Sequence, residues 1–184
     1  MKILVNAGHA PNGQPDPGAV GPGGLRESDV TCSVGHMVVS YLQAAGVEAD
    51  FIQSDSLEEI CETVNQGGYD LLLSIHCNSF NETSEGIEVY TSRGFTNSDK
   101  FADCLMNQMH ETFTSLTVRA DWSDGDVDKE AGLYVLNYSD CPAALFELPF
   151  ISNPDQEAWL ANSDNQRESA KAFARGVTDY LQVV

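Results

Sequence analysis

The sequence predicts an α/β fold, with one sheet covered by helices on both faces. Three observations predict it. Short apolar runs such as ILVNA and LLLSI lack the polar alternation of a half-solvated strand and read as buried strands. The segments between them repeat apolar residues at a period near 3.6, the mark of helices with one buried stripe. The two kinds alternate from end to end, with no internal repeat and no linker long enough to divide the chain, so residues 1–184 are expected to form a single domain.

Taken in order, the first strand runs over Lys2–Ala7, and residues 8–24 form a loop dense in Gly and Pro. Ser28 is a fitting N-cap for a helix that runs to Ala45. Its apolar stripe is Val30, Val34, Met37, Val38, Tyr41, Leu42 and Ala45, and Gly46 stops it. VEADFIQ makes the second strand, and residues 56–65 make a short helix with Leu57, Ile60, Cys61 and Val64 inward. YDLLLSIHCN reads as a central strand and GIEVYTS as its neighbour. A third helix covers Ser98–Phe113, followed by the acidic loop RADWSDGDVDKEAG. LYVLNYS and AALFELPFIS read as the last strands, a short helix follows Pro154, and a longer one covers Asp164–Leu181.

Composition narrows the function. Lys and Arg number 9 against 28 Asp and Glu, a formal charge of −19, so no basic patch exists to neutralise phosphates and nucleic acid is excluded as a partner. The five cysteines (Cys32, Cys61, Cys77, Cys104, Cys141) contain no CxxC pair, which argues against a zinc knuckle or a redox motif and for reduced, packed thiols. The apolar stretch in MKILVNAG is too short for a signal peptide or for membrane insertion. The expectation is a protein made in the cytoplasm, or a domain of a longer exported chain.

Four residues stand where apolar runs end or are interrupted: His9 after ILVNAG, Glu27 after the Gly/Pro loop, His76 after LLLSI and Glu147 inside AALFELPF. Ligands of such sheets bind at the carboxyl ends of the strands. Two imidazoles and a carboxylate gathered there make a three-ligand zinc site with an open fourth position. A second carboxylate supplies the general base that a metal-assisted hydrolysis requires. Taken singly, a histidine after a strand is more often a hydrogen-bonded core or turn residue. Glu147, with Leu145, Phe146, Leu148 and Pro149 around it, has no solvated face, a setting in which carboxylates are paired, metal-linked or shifted in pKa. His36 and His110 fall within helices and read as surface histidines.

The stretches NAGHAPNGQPDPGAVGPGGLRESDV, LLLSIHCNS, GIEVYTS and PAALFELPFISNPDQEAWL resemble, in order and over nearly the whole chain, the zinc-dependent N-acetylmuramoyl-L-alanine amidases. The resemblance implies a twisted, mostly parallel (mixed) six-stranded sheet. It also implies cleavage of the amide between N-acetylmuramic acid and the L-alanine of the peptidoglycan stem. Carried over by position, His9, Glu27 and His76 match the ligands of one zinc ion and Glu147 the catalytic glutamate. Ala7, Ala10 and Pro149 depart from the usual family residues, and Asn78 replaces an aspartate seen in some members; none of these removes a ligand or the base.

The rival readings are a zinc carboxypeptidase-like amidohydrolase and a non-catalytic wall-binding pseudoenzyme. The first wants an HxxE pair and an arginine clamp, but Asn12 stands three after His9. All four chemical positions are filled, which argues against the second. Some relatives plug their zinc with an inserted helix, and the segment Leu116–Gly132 is too short to hold one, so no obligatory activator is expected. Five carboxylates (Asp121, Asp124, Asp126, Asp128, Glu130) mark this segment as a solvated loop. Its functional alternative is charge selection favouring cationic or amidated stems over free acidic ones.

Overall fold

In the computed structural model, which describes residues 1–123 and 125–183, six strands form one sheet. They are β1 (Lys2–Ala7), β2 (Glu48–Gln53), β3 (Leu71–Cys77), β4 (Glu88–Thr91), β5 (Lys129–Glu130) and β6 (Ala143–Leu148), in spatial order β2-β1-β3-β6-β4-β5. Every pairing is parallel except β4 against β6. The mixed sheet expected from the sequence is present.

Alternation along the strands assigns the faces. Ile3 and Val5 of β1, Leu71, Leu73 and Ile75 of β3, and Phe146 of β6 enter the larger core. That core is covered by α1 (Glu27–Ala44), α3 (Asn97–Thr112) and α6 (Ser163–Val183). Leu4, Leu72, Ala143 and Leu145 point the other way, into a smaller core with Ile60, Cys61 and Val64 of α2 (Leu57–Gln66) and Val135 and Leu136 of α4 (Tyr134–Asn137). A short α5 (Pro154–Ala161) precedes α6. All five cysteines are free, with Cys61 and Cys77 buried.

Four expectations change. LYVLNYS is not a strand but the single helical turn α4. The amides of Asn137 and Tyr138 donate to the carbonyls of Leu133 and Tyr134, and the rings of Tyr134 and Tyr138 stack with centroids 4.4 Å apart, the i,i+4 spacing of a helix. The acidic segment supplies a strand instead. Lys129–Glu130 pairs with Tyr90–Thr91 at the sheet's edge, where short charged strands resist further pairing. GIEVYTS is not the neighbour of β3, because β6 lies between them. Finally, α1 begins at Glu27, with Arg26 at the N-cap position, not at Ser28.

The acidic segment is also less solvated than its composition suggests. Asp121 and Glu130 are exposed, but Asp128 is only 2% exposed and accepts a 2.5 Å hydrogen bond from Thr91 Oγ1. Burial pushes its carboxyl up to about 7, the Thr91 bond opposes this, and the charge of Asp126 adds to it. Asp124 lies outside the described residues. No helix among the described residues is long and apolar enough to cross a membrane.

Candidate active site

The chain leaves β1 toward β2 and leaves β3 toward the opposite side of the sheet. A crevice therefore opens between the carboxyl ends of β1 and β3, where open α/β sheets bind ligands. His9 follows β1 by two residues, and His76 is the last residue but one of β3. Gly8 permits their approach, because a Cβ there would lie 2.3 Å from Cε1 of His76. The two rings meet edge to face, with centroids 5.1 Å apart.

Glu27 enters from α1. As the first residue of that helix, its carboxylate sits at the positive end of the helix dipole. The Gly/Pro loop folds back over it, and the amides of Ala19 and Cys77 donate to its Oε2 and Oε1, each at 2.9 Å. His9 Nε2 lies 3.0 Å from Oε2 and His76 Nδ1 lies 3.1 Å from Oε1. One ligand atom from each of His9, Glu27 and His76 lies within 4.8 Å of the others, a cluster that could hold a metal ion.

The electrostatics follow from that packing. Burial works to raise the Glu27 pKa, but the hydrogen bonds and charge of the two imidazoles outweigh it and hold the carboxyl far below its usual range. Burial likewise works against protonated His9, yet Glu27 and Asp16 push it up to about 9. Without a cation, protons join the three side chains, and an entering metal must displace them.

Glu147 is the register partner of His76 across β3 and β6 and of Glu88 across β6 and β4, so the three side chains form a row on one face of the sheet. Burial is the main cause that pushes the Glu147 carboxyl up to about 7. Its Oε2 and the Nδ2 of Asn78 are buried and have no hydrogen-bond partner among the described residues. Most buried polar atoms in folded proteins are hydrogen-bonded, and these two, at the strand ends beside the cluster, suit a bound water or substrate group. An apolar cavity of about 180 Å³, lined by His9, His76, Leu57, Ile60, Tyr134 and Leu145, opens beside the cluster. His36 and His110 are exposed on their helices, and His36 stacks on Phe51.

Two residues that sequence reasoning missed shape the site. Asp16 Oδ2 lies 2.7 Å from His9 Nδ1, which leaves Nε2 to face Glu27. This contact also anchors a strained backbone, since His9 has φ 69°. Glu157 of α5, 7% exposed, accepts from the amides of Gly23 and Leu25 at 2.7 and 3.0 Å and pins the loop that leads into Glu27. Glu157→Ala leaves two amides unpaired and is expected to cost roughly 1–3 kcal/mol. Thermal melts of the metal-free protein check this, and metal titration should show weaker binding through the loosened Glu27. The only sequence cue to Asp16 was its place in the Pro-Asp-Pro of the first loop; Glu157 offered none.

The chain and its fold are similar to known proteins. The family profile described as N-acetylmuramoyl-L-alanine amidase matches residues 3–179. The uncharacterized protein YqiI of Bacillus subtilis is 33% identical over 184 residues, which cover 97% of this chain and 84% of YqiI. The structure of the N-acetylmuramoyl-L-alanine amidase AmiC2 of Nostoc punctiforme superposes with a TM-score of 0.88 at 28% identity, covering 99% of this chain and 97% of AmiC2. The CwlD amidase of Clostridioides difficile, solved in complex with the GerS lipoprotein, shares the fold with a TM-score of 0.87 at 20% identity, covering 100% of this chain and 99% of CwlD.

Proposed function

We propose, from the premise that this chain belongs to the N-acetylmuramoyl-L-alanine amidase family, that His9, Glu27 and His76 hold one zinc ion and Glu147 is the general base. The chain is a peptidoglycan amidase. The bond it cleaves in this reading is the amide between the lactyl group of N-acetylmuramic acid and L-alanine. The observation that carries the reading is the convergence of two imidazoles and a buried carboxylate beside the unpartnered Oε2 of Glu147.

Zinc, when bound, supplies Lewis acidity toward the scissile carbonyl and toward water. The residues of the chain do the rest. Two nitrogens and one oxygen suit zinc and leave a position open for substrate. Asp16 fixes the ring of His9, and the amides of Ala19 and Cys77 fix Glu27. Glu147, whose carboxyl lies near neutrality, takes the proton of the attacking water and returns it to the departing amine of L-alanine. We read residues 1–184 as one catalytic domain, since every strand joins one sheet.

We further propose that turnover needs no activator. Among the described residues of the segment between Leu116 and Gly132 there is no helix to cover the cluster. CwlD, by contrast, was solved with a lipoprotein partner. The purified chain, given zinc alone, should release stem peptides with new L-alanine amino termini from cell-wall sacculi. Chelator should stop the release and added zinc restore it. Sugar reducing ends in place of new amino termini, or indifference to chelator, would reject the reading, and a strict need for a second protein would reject the activator-free claim.

A further inference from the structure

Two of the nine basic residues in this acidic chain converge on one carboxylate next to the row of site residues. Glu88 lies directly opposite Glu147 in the antiparallel pair, and its side chain is 5% exposed. Its Oε1 accepts from Arg119 Nε and, at 3.0 Å, from Lys129 Nζ; its Oε2 accepts from the Tyr90 hydroxyl at 2.5 Å. Burial works to raise the Glu88 pKa, and these three hydrogen bonds outweigh it and keep the group ionised. One negative charge therefore faces two positive ones. Taken by themselves, Arg119, Lys129 and Glu88 carry one positive charge in excess, which faces Glu147 across the strand pair.

Arg119 is built into place. Its aliphatic stem crosses Gly86, where a Cβ would lie 3.0 Å from its Cγ and Cδ and 2.5 Å from the carbonyl oxygen of Thr117. Its guanidinium carbon lies 5.1 Å from the centroid of the Phe150 ring. The Nε is committed to Glu88, while among the described residues neither terminal nitrogen carries a hydrogen bond, and the side chain is 41% exposed. A guanidinium held by its inner nitrogen with its outer edge open is a rigid donor fork for a carboxylate.

We propose that Arg119, oriented by Glu88 and flanked by Lys129, recognises a carboxylate of the stem peptide and so determines substrate specificity. The inference rests on the amidase reading above and deepens it. In that substrate the lactyl carboxyl is consumed in the scissile amide, so the free carboxylates lie on the stem. The preference is opposite to the one the acidic loop suggested, because the open donors on this side belong to Arg119.

The test uses two soluble muramyl dipeptides that differ only in the second residue, one with a free α-carboxylate and one with the carboxamide. Zinc-loaded wild-type protein should favour the free acid by about tenfold in kcat/KM, with the difference in KM. Arg119→Ala should erase the preference by losing rate on the free acid, and Arg119→Lys should restore part of it. Binding of both dipeptides to zinc-loaded Glu147→Gln protein, with and without the Arg119 change, reads the same preference without turnover. Equal kcat/KM for the two substrates in wild type, or equal losses on both in Arg119→Ala, would overturn the proposal. Turnover of neither dipeptide would instead count against the amidase reading, and the binding ratio would then decide the role of Arg119 by itself. Should Arg119→Ala melt early, the folded Arg119→Lys and Arg119→Gln proteins carry the comparison.

Discussion

His76→Ala is expected to abolish both zinc binding and turnover. The imidazole is one of three side chains whose ligand atoms converge, and alanine leaves Glu27 and His9 as an incomplete pair. No other described histidine is placed to substitute, since His36 and His110 are exposed on helices outside the cluster. Metal analysis of the purified variant should find less than about a tenth of the wild-type zinc, and sacculus digestion should fall to background. Asp16→Asn gives the graded comparison. It keeps every proposed ligand but weakens the hold on His9 Nδ1, so affinity or rate should drop only on the order of 10- to 100-fold. Full zinc occupancy in His76→Ala would remove His76 from the ligand set.

Glu147→Gln should separate base from ligand. The amide keeps the volume and loses the proton acceptor, so zinc should stay bound while kcat falls by roughly 100-fold or more. The same change at Glu27 should weaken zinc, because the amide lacks the charge that the two imidazoles and the metal require. Release of metal by Glu147→Gln with retention by Glu27→Gln would exchange the two roles. The pH dependence has a definite sign. Glu147 must be ionised to accept a proton and titrates near 7 in the metal-free protein, so activity falls as pH drops; a bound dication lowers that pKa and moves the acid limb below 7.

Stability runs the other way. A carboxyl whose folded pKa is raised contributes stability that is present below its unfolded value near 4.5 and lost as pH rises through about 7. Glu147→Gln, which cannot ionise, should therefore melt higher than wild type in the metal-free state above pH 7. The site keeps a destabilising acid where the chemistry needs one, the usual conflict between stability and activity.

Much of the fold was legible because burial writes a local pattern. β1, β3 and β6 fall where buried apolar runs stand, β2 falls at VEADFIQ with only Ala49 buried, and the stripe of Val30, Val34, Val38 and Leu42 is the buried face of α1. Three of the four site residues could be located by the same logic, since His9, His76 and Glu147 each mark the end or interruption of a buried strand. Glu27 was harder, since it follows the Gly/Pro loop and no buried strand marks it, and only the family resemblance told ligand carboxylate from base. LYVLNYS shows where the pattern fails. A short, mostly apolar run shows no clear period, and the helical turn won because Val135 and Leu136 both pack on α2 while Tyr134 and Tyr138 stack.

What the sequence determined by itself was therefore the α/β class and the strand-end positions of the histidines. Those are properties of neighbours along the chain. Only the tertiary structure decided that β6 separates β3 from β4, which sets Glu147 between His76 and Glu88. It also decided that Asp16 orients His9, that Glu157 holds a loop 132 residues away, and that Arg119 and Lys129 share one carboxylate. Strand order and polar pairing depend on contacts between residues far apart in the chain, and no local hydrophobic period encodes which distant strand or side chain arrives alongside.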